Sequence, residues 1–355
     1  MTFIEKLTLR ANNVKVEALE PRKKRTSSEG TSSGSGSSSD EEVTPTVIPL
    51  HKLSPAAQYT NVQFMKLDYE DRMENGYPFW DELNKKAVFA STSNDWHLPH
   101  DLKRRCARCW QSIHLSPGGT LKPTVCVYHD RPKWNHEMGQ KHLPCCGSRA
   151  GTSKGCMIQE FHVFHGTWKQ TLDEFVCSPK ARGTSDYRSK KIYAIDCEMV
   201  YTLNGMEAAR VSVVDVKGRL VMDTFVLPSF RILDYNTKFS GITAKDMENA
   251  VSLEACRLQL FQLINEETIL VGHSLESDLK ALRLVHSNLI DTSLLFSAPN
   301  QSNFMRIKYS LKTLAETYLQ KKVQTSATGH SSVEDATICM ELVGTGYVSG
   351  GPLIP

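Results

Sequence analysis

Apolar positions in the C-terminal half of the chain switch between two periods, and each switch marks an element. The run KIYAIDCEMV at 191–200 is apolar and ends on alternating acids, which predicts a strand. Segments 210–216 and 220–226 predict two more strands. The Lys217-Gly218 pair between them predicts a tight antiparallel connection. Ser252 stands at the N-cap of a helix predicted over 253–265, and 268–271 predicts a short buried strand. Leu275, Leu279 and Leu282, spaced i, i+4, i+7, set one helical face against a core. Another short strand is predicted at 289–291, a helix near Ser310, and a last helix at Ser331. The Ser-x-x-Glu spacing from Ser331 to Glu334 is that of a capping box. Three leading strands followed by alternating helix and strand predict an α/β fold, a mixed sheet flanked by helices.

The N-terminal half lacks this regularity. Residues 27–40 hold eight Ser and three Gly, a composition that buries no core. The basic cluster PRKKR at 21–25 reads as a nuclear localisation signal, so nucleus or nucleolus is the expected compartment, with cytoplasm as the alternative. At 355 residues the chain has room for about two domains. The expected division is an arm (1–45), a lead-in (46–100), a Cys/His module (101–170), a main domain (188–343) and a Gly/Pro-rich tail (344–355). No apolar run approaches the ~18–20 residues of a membrane span, and the N-terminus has no continuous apolar signal core, so no membrane association is expected.

The net charge of +3 conceals a division: residues 101–190 carry 15 Lys and Arg against 7 Asp and Glu. That block, +8, faces a remainder of −5, and a basic region beside an acidic one suggests a nucleic-acid partner and a metal site. Six of the ten cysteines fall within residues 106–156 of that block. Cys106-x2-Cys109 and Cys126-x2-His129 have zinc-ligand spacing, and Cys145, Cys146, Cys156 and His162 follow. Eight ligands suit two structural Zn²⁺ ions. Spacing leaves the pairing open, although two adjacent cysteines rarely bind one ion, and His114, His136, His142 and His165 are alternatives. Trp110, Tyr128, Trp134 and Trp168 among the basic residues suggest contact with single-stranded RNA, or with a protein partner.

The acids carry the chemistry. Asp196 and Glu198 share one face of the first strand while Cys197 points the other way. Two like charges side by side favour a divalent cation, and hard oxygen ligands favour Mg²⁺ or Mn²⁺. Asp278 lies in the first turn of a later helix, and Asp335 in the last helix, five residues after His330.

The segments IDCEM, GHSLESDL and GHSSVEDA resemble the three motifs of the DEDDh 3′–5′ exonucleases, and DYNTKFSGIT at 234–243 is similar to wording of the RNA exonuclease 1 (Rexo-type) branch. The resemblance covers about 188–343. It implies an RNase H-like exonuclease fold in which Asp196, Glu198, Asp278 and Asp335 hold two Mg²⁺ (or Mn²⁺) ions. His330 is then the general base, and RNA 3′ ends are trimmed to nucleoside 5′-monophosphates. It further implies that Met199 contacts the terminal nucleotide and that Leu275 flanks its base, core packing being the alternative for Leu275. The Cys/His block resembles CHORD-like zinc modules.

Simpler roles are expected elsewhere: strand end for His273, helix cap for Ser274, support for Asp291, and a structural salt bridge for Glu207 and Arg210. The departure from the family is the tail GTGYVSGGPLIP, where the last helix is expected to continue. A weakened, truncated isoform acting as a zinc-based RNA- or protein-binding adaptor is therefore the alternative function, and a DNase with the same chemistry a third.

Overall fold

The computed structural model describes residues 49–90, 103–115, 121, 123–130, 132–135, 138–151, 155–165, 173–299, 306–324 and 329–345. The basic cluster at 21–25, the Ser/Gly tract, His136, the Trp134 ring, Trp168 and the tail beyond Thr345 lie outside the described residues.

The main domain is built on β1 (Ile192–Thr202), which pairs antiparallel with β2 (Gly205–Asp215). Next comes β3 (Leu220–Leu227), antiparallel to β2, and β4 (Ile232–Asp234), which pairs with the far end of β1. Short β5 (Val251–Ser252) closes one edge in parallel with β3. On the other side of β1, β6 (Ile269–Gly272) and β7 (Leu289–Asp291) continue the sheet in parallel. Among the described residues the sheet order is β5-β3-β2-β1-β6-β7, a mixed sheet of the RNase H-like kind.

Both β1 and β2 are longer than their apolar runs. Thr202 Oγ1 donates to the Gly205 carbonyl at 3.1 Å and accepts from the Asn204 N–H at 3.0 Å, which closes a tight turn. Glu207, a polar break in the pattern, is buried against Arg283 at 2.9 Å, so the strand continues through it.

Each sheet face is covered by helices. On one face Ile192, Ala194 and Val214 pack under α5 (Ser332–Thr345) through Ala336, Cys339 and Leu342. On the other, Ile195, Cys197 and Val213 pack with Cys256 and Leu260 of α3 (Leu253–Leu263) and Leu279 of α4 (Glu276–Ala281). Ser252 caps α3 as expected, accepting from the Ala255 N–H. At α5 the capping box is half made: Ser331 Oγ accepts from the Glu334 N–H at 3.5 Å, but the Glu334 carboxylate turns to the Gln324 N–H instead. The helix also runs two residues into the Gly/Pro-rich tail, to Thr345. A Cβ on Gly344 would sit 4.0 Å from Leu50, so the lead-in covers the end of α5.

That lead-in is part of the main domain rather than a connector. Leu50, Val62, Phe64 and Met65 join the core cluster beneath α5. Ser54 caps α1 (Pro55–Val62), with Pro55 at the first helical position. Four polar ties fasten the segment: Tyr59 Oη donates to the Glu267 carbonyl, Lys66 to Asn288, the Leu67 N–H to the Leu289 carbonyl, and Tyr77 Oη to Asp291. The segment's apolar residues keep neither a helical nor a strand period, so its burial had no signature in the pattern. The helix α2 (Thr237–Ser240), after β4, completes the elements around the active centre.

Among the described residues the Cys/His module holds three short antiparallel strand pairs: Lys103–Arg105 with Ser112–His114, Cys126–Tyr128 with Met157–Gln159, and Lys133–Asn135 with Gln140–His142. Ile113, Leu115, Tyr128 and Phe164 form a small core around Cys106 and Cys126, and Leu203 and Leu233 of the main domain pack against it.

Met65 is 1 % exposed. Met65→Ala is expected to cost about 2–5 kcal/mol of stability through the cavity it leaves. Urea unfolding followed by circular dichroism checks this. An unchanged midpoint would mean the lead-in is not part of the cooperative core.

Candidate active centre and metal sites

Four carboxylates from three separated segments meet beside β1. Asp196 and Glu198 lie opposite Ser212 and Arg210 in the ladder, and the register shifts after Glu198, which bends the strand there. Asp278 comes in from α4, its Oδ1 accepting the Cys197 N–H at 2.8 Å. Asp335 comes from the first turn of α5, and Ser332 beside it hydrogen-bonds Ser212 at 2.7 Å, pinning the helix start to β2. Gln324, with no sequence signal to single it out, donates to both oxygens of Asp335 at 3.1 and 3.0 Å.

Burial dominates the protonation of this cleft. Burial, then the negative charges of Asp278, Asp335 and Glu198, hold Asp196 well above the usual carboxylate range. Burial and then Asp335 push Glu198 up to about 8, against the relief from Arg210. Burial raises Asp278 to about 8 despite the Cys197 N–H. Asp335 rises to about 6, burial outweighing Gln324 and His330. Glu198 Oε1 is buried without any hydrogen-bond partner. A buried carboxyl oxygen without a hydrogen-bond partner, among three more carboxyl groups, fits a divalent cation. The quartet is looser than the cysteine sites. Among the described residues, groups of three or more ligand atoms all within 4.8 Å of one another occur only in the Cys/His module.

His330 sits at the rim, its side chain 41 % exposed and its Nδ1 3.7 Å from Asp335 Oδ2. Its N–H donates to the Phe239 carbonyl of α2 at 2.7 Å. The preceding Gly329 has φ +108°, and a Cβ there would meet the Gly241 backbone at 2.3 Å. Glycine is required at that point for the imidazole to stand where it does.

The remaining expected residues divide. Met199 is half-buried beside Glu198 and packs partly against the core, leaving surface for a ligand. Leu275 differs from its expected contact with a base: it is fully buried in the core, where a Cβ on Gly272 would lie 2.7 Å from its Cδ1. Asp291 is fully buried as a brace, accepting from the N–H groups of Ser274, Leu275 and Ser293 and from Tyr77 Oη at 2.6 Å. His273 Nδ1 lies 2.9 Å from Thr292 Oγ1, and burial holds it below the usual imidazole range. Ser274, expected as a helix cap, lies at φ +56°, and Leu275 occupies the N-cap without a side-chain bond. Glu207 and Arg210 do not pair with each other: Glu207 takes Arg283, and Arg210 takes Asp223 through two bonds of 2.8 and 2.7 Å.

In the Cys/His module the eight expected ligands gather in two sets, Cys106, Cys109, Cys126 and His162, and His129, Cys145, Cys146 and Cys156. The pairing is interleaved: His129 and His162 exchange places relative to sequence order. Adjacent Cys145 and Cys146 do share a set, because the turn at 143–147 brings both sulfurs towards His129, at 3.4 and 3.7 Å from its Nδ1. Cys106 and Cys126 sulfurs are 3.7 Å apart, and Cys109 Sγ is 3.3 Å from His162 Nδ1. The edge of a tetrahedron of ~2.3 Å zinc–sulfur bonds is about 3.8 Å, so both sets fit Zn²⁺. Burial pushes Cys106 up but the N–H groups of Cys109 and Arg108 bring it to about 6, while burial and that neighbouring sulfur hold Cys126 far above. Like the carboxylates, these thiols cannot all ionise without a cation. Of the alternatives, His114 lies in the hairpin edge, His142 in another, and His165 against Met206, all outside both sets.

Comparison with known proteins identifies the main domain. Residues 193–343 match RNase_T, a family described as exonuclease. Those residues form an RNase_T exonuclease domain. The chain is 38% identical over 304 residues to a human protein named RNA exonuclease 1 homolog, covering 84% of this chain and 24% of that one. It is 38% identical over 253 residues to RNA exonuclease 3 of Schizosaccharomyces pombe, covering 69% and 44%. The chain thus spans less than half the length of either relative. Among solved structures it resembles the Neurospora crassa Pan2 catalytic unit, with TM-score 0.41 and 23% identity over 62% of this chain and 42% of that one.

An exonuclease domain implies divalent-metal dependence, and the raised carboxylates set its pH behaviour. A folded-state carboxyl held above its ordinary value keeps its proton after the unfolded chain has lost it. Stability without a divalent ion therefore falls as pH rises from the ordinary 3.8 and 4.5 to about 8. In magnesium-free buffer the melting temperature is expected to fall between about pH 5.5 and 8. Added Mg²⁺ should restore several degrees, and more at pH 8 than at pH 5.5. Differential scanning calorimetry measures both, and the absence of any Mg²⁺ effect at pH 8 would refute the cation site.

Proposed function

We propose that the chain is a 3′–5′ exoribonuclease of the DEDDh type, dependent on Mg²⁺ or Mn²⁺, that releases nucleoside 5′-monophosphates from RNA 3′ ends. The observation that carries this reading is the convergence of Asp196, Glu198, Asp278 and Asp335 on one cleft, with buried Glu198 Oε1 lacking a donor and exposed His330 beside Asp335. Relatives named as RNA exonucleases support RNA as the substrate.

The four carboxylates would hold two ions by hard oxygen ligands. When bound, such ions polarise the scissile phosphate, acidify a water and neutralise the leaving oxygen. The chain's own part begins with His330. With Nδ1 turned to Asp335, Nε2 is the nitrogen that accepts the proton of the attacking water. Asp335 then stabilises the imidazolium, as a carboxylate does beside a charged ring. Water oxygen forms the new bond to phosphorus, the bond to the 3′ oxygen breaks, and that oxygen takes a proton from solvent. Gln324 orients Asp335, and the Cys197 N–H orients Asp278. Met199, beside Glu198, contacts the terminal nucleotide. The Cys/His module holds two structural Zn²⁺ ions, and the cluster at 21–25 directs the protein to the nucleus.

A 5′-labelled RNA is expected to shorten in single-nucleotide steps with Mg²⁺, and a DNA of the same sequence far more slowly. Asp196→Ala and Asp335→Ala should lower the rate at least ~10³-fold, and His330→Ala about 10²–10⁴-fold. Retained activity in either aspartate variant would overturn the metal assignment, and equal loss of the DNA would overturn the RNA preference. Metal analysis of the purified chain should find two zinc ions. Cys106→Ser and Cys145→Ser should each leave about one, and a single ion in the unaltered protein would refute the two-site reading.

A further inference from the structure

The function proposed above uses the main domain's cleft and leaves the side of the Cys/His module without a role. Two adjoining hollows of about 810 and 950 Å³ lie there. Both are lined by Arg108, Tyr128, His129 and Asp130, so they make one trough. Trp110 stands at its outer end, and Lys238 and Phe239 of α2 at its inner end. The inner end reaches the active centre, because the Phe239 carbonyl is the acceptor of the His330 N–H at 2.7 Å. Tyr201 also lines it, three residues beyond Glu198 on β1, which is about 10 Å at ~3.3 Å per residue.

The lining has a repeated chemistry. Trp110 and Phe239 are 51% and 50% exposed, large rings that an ordinary fold would hide. Each has a cation against it: the Arg105 guanidinium 5.1 Å from the Trp110 centroid, and Lys238 Nζ 5.6 Å from the Phe239 centroid. Trp110 also sits at φ +65°, a left-handed backbone that non-glycine residues rarely adopt and that is not needed for burial. Between the two rings lies Arg108, one residue before the ligand Cys109. Its guanidinium is held between Tyr128 and Tyr201, at 5.2 and 5.4 Å, and bonds Asp234 through Nη2. Its Nη1 is buried with no hydrogen-bond partner.

Exposed rings beside cations along a groove, with an unused guanidinium donor between them, suit bases that stack and phosphates that need donors. Here the floor carries the Arg108–Asp234 and Lys238–Asp130 ion pairs that join module to domain. We propose that this groove binds the single-stranded RNA upstream of the 3′-terminal nucleotide, with bases on Phe239 and Trp110 and phosphates on Lys238, Arg108 and Arg105. The inference rests on the exonuclease reading for its direction, since the 3′ end must lie at the carboxylates.

Glu198→Gln blocks turnover and permits binding to be measured on the full chain. Fluorescence anisotropy with 5′-fluorescein oligoribonucleotides of 2 to 14 nucleotides is expected to show affinity rising at least tenfold with length. Added to Glu198→Gln, Phe239→Ala and Trp110→Ala should each cut the ratio of long-to-short affinity at least fivefold, the range of one lost base stack. Zinc content equal to that of the parent shows that each variant keeps the module. Affinity independent of length, or a ratio unmoved in both variants at full zinc content, would overturn the groove. The two readings fail separately. Length-dependent binding by a chain that shortens no RNA upholds the groove and removes the exonuclease reading, whereas RNA shortening without length dependence does the reverse.

Discussion

Mutual repulsion of carboxylates in a half-desolvated cleft is the constraint on which the rest of the structure depends. Asp196, Glu198, Asp278 and Asp335 cannot all be ionised and buried together unless something holds them there and something neutralises them. The fold supplies the holding. β1 fixes two of them by strand period, the Cys197 N–H fixes the third, and the Ser212–Ser332 bond with Gln324 fixes the fourth. A divalent cation fits the neutralisation they require. The proposed chemistry would then draw on the same four groups whose burial costs the fold stability.

Support for this centre comes from further along the chain than the domain boundaries suggest. Asp291 stands behind the cleft and collects three N–H donors, two from the turn that starts α4 and one from Ser293, together with the phenol of Tyr77. Tyr77 belongs to the lead-in, so 49–90 is bound into the domain at both α5 and β7. Burial and the charge of Asp291 push the Tyr77 hydroxyl well above its ordinary range, which keeps it a donor. One phenol thus ties an N-terminal segment to the loop that carries Asp278.

The Cys/His module is joined to the same centre by a short relay. Arg108 lies between two ligands of the first cysteine set and bonds Asp234 at the end of β4. Asp234 accepts the Asn236 N–H at 2.6 Å as α2 begins, and α2 in turn holds the His330 backbone through Phe239. Each thiol set repeats in sulfur the problem the carboxylates pose in oxygen: several acidic groups are brought together that only a cation reconciles. The hard set suits Mg²⁺ or Mn²⁺ and the soft sets suit Zn²⁺.

The sequence alone determined the strands and helices of the main domain, because their apolar residues repeat at 2 or about 3.6 positions. It also picked out the acids, the imidazole and the eight zinc-ligand candidates, because short spacings and motif wording survive without geometry. What only the tertiary structure decided are the features made by residues distant in the chain. The interleaved exchange of His129 and His162 depends on how distant short strands pair, and the sharing of one set by Cys145 and Cys146 on a turn. The partners of Glu207 and Arg210 depend on which neighbours the sheet brings alongside them. Leu275 became core because the turn after Gly272 folds it inward, and the lead-in became core without any period to announce it. A local pattern encodes how a segment lies on its own. It does not encode which distant segment will cover it, since that is settled by packing and charge compensation across the whole domain.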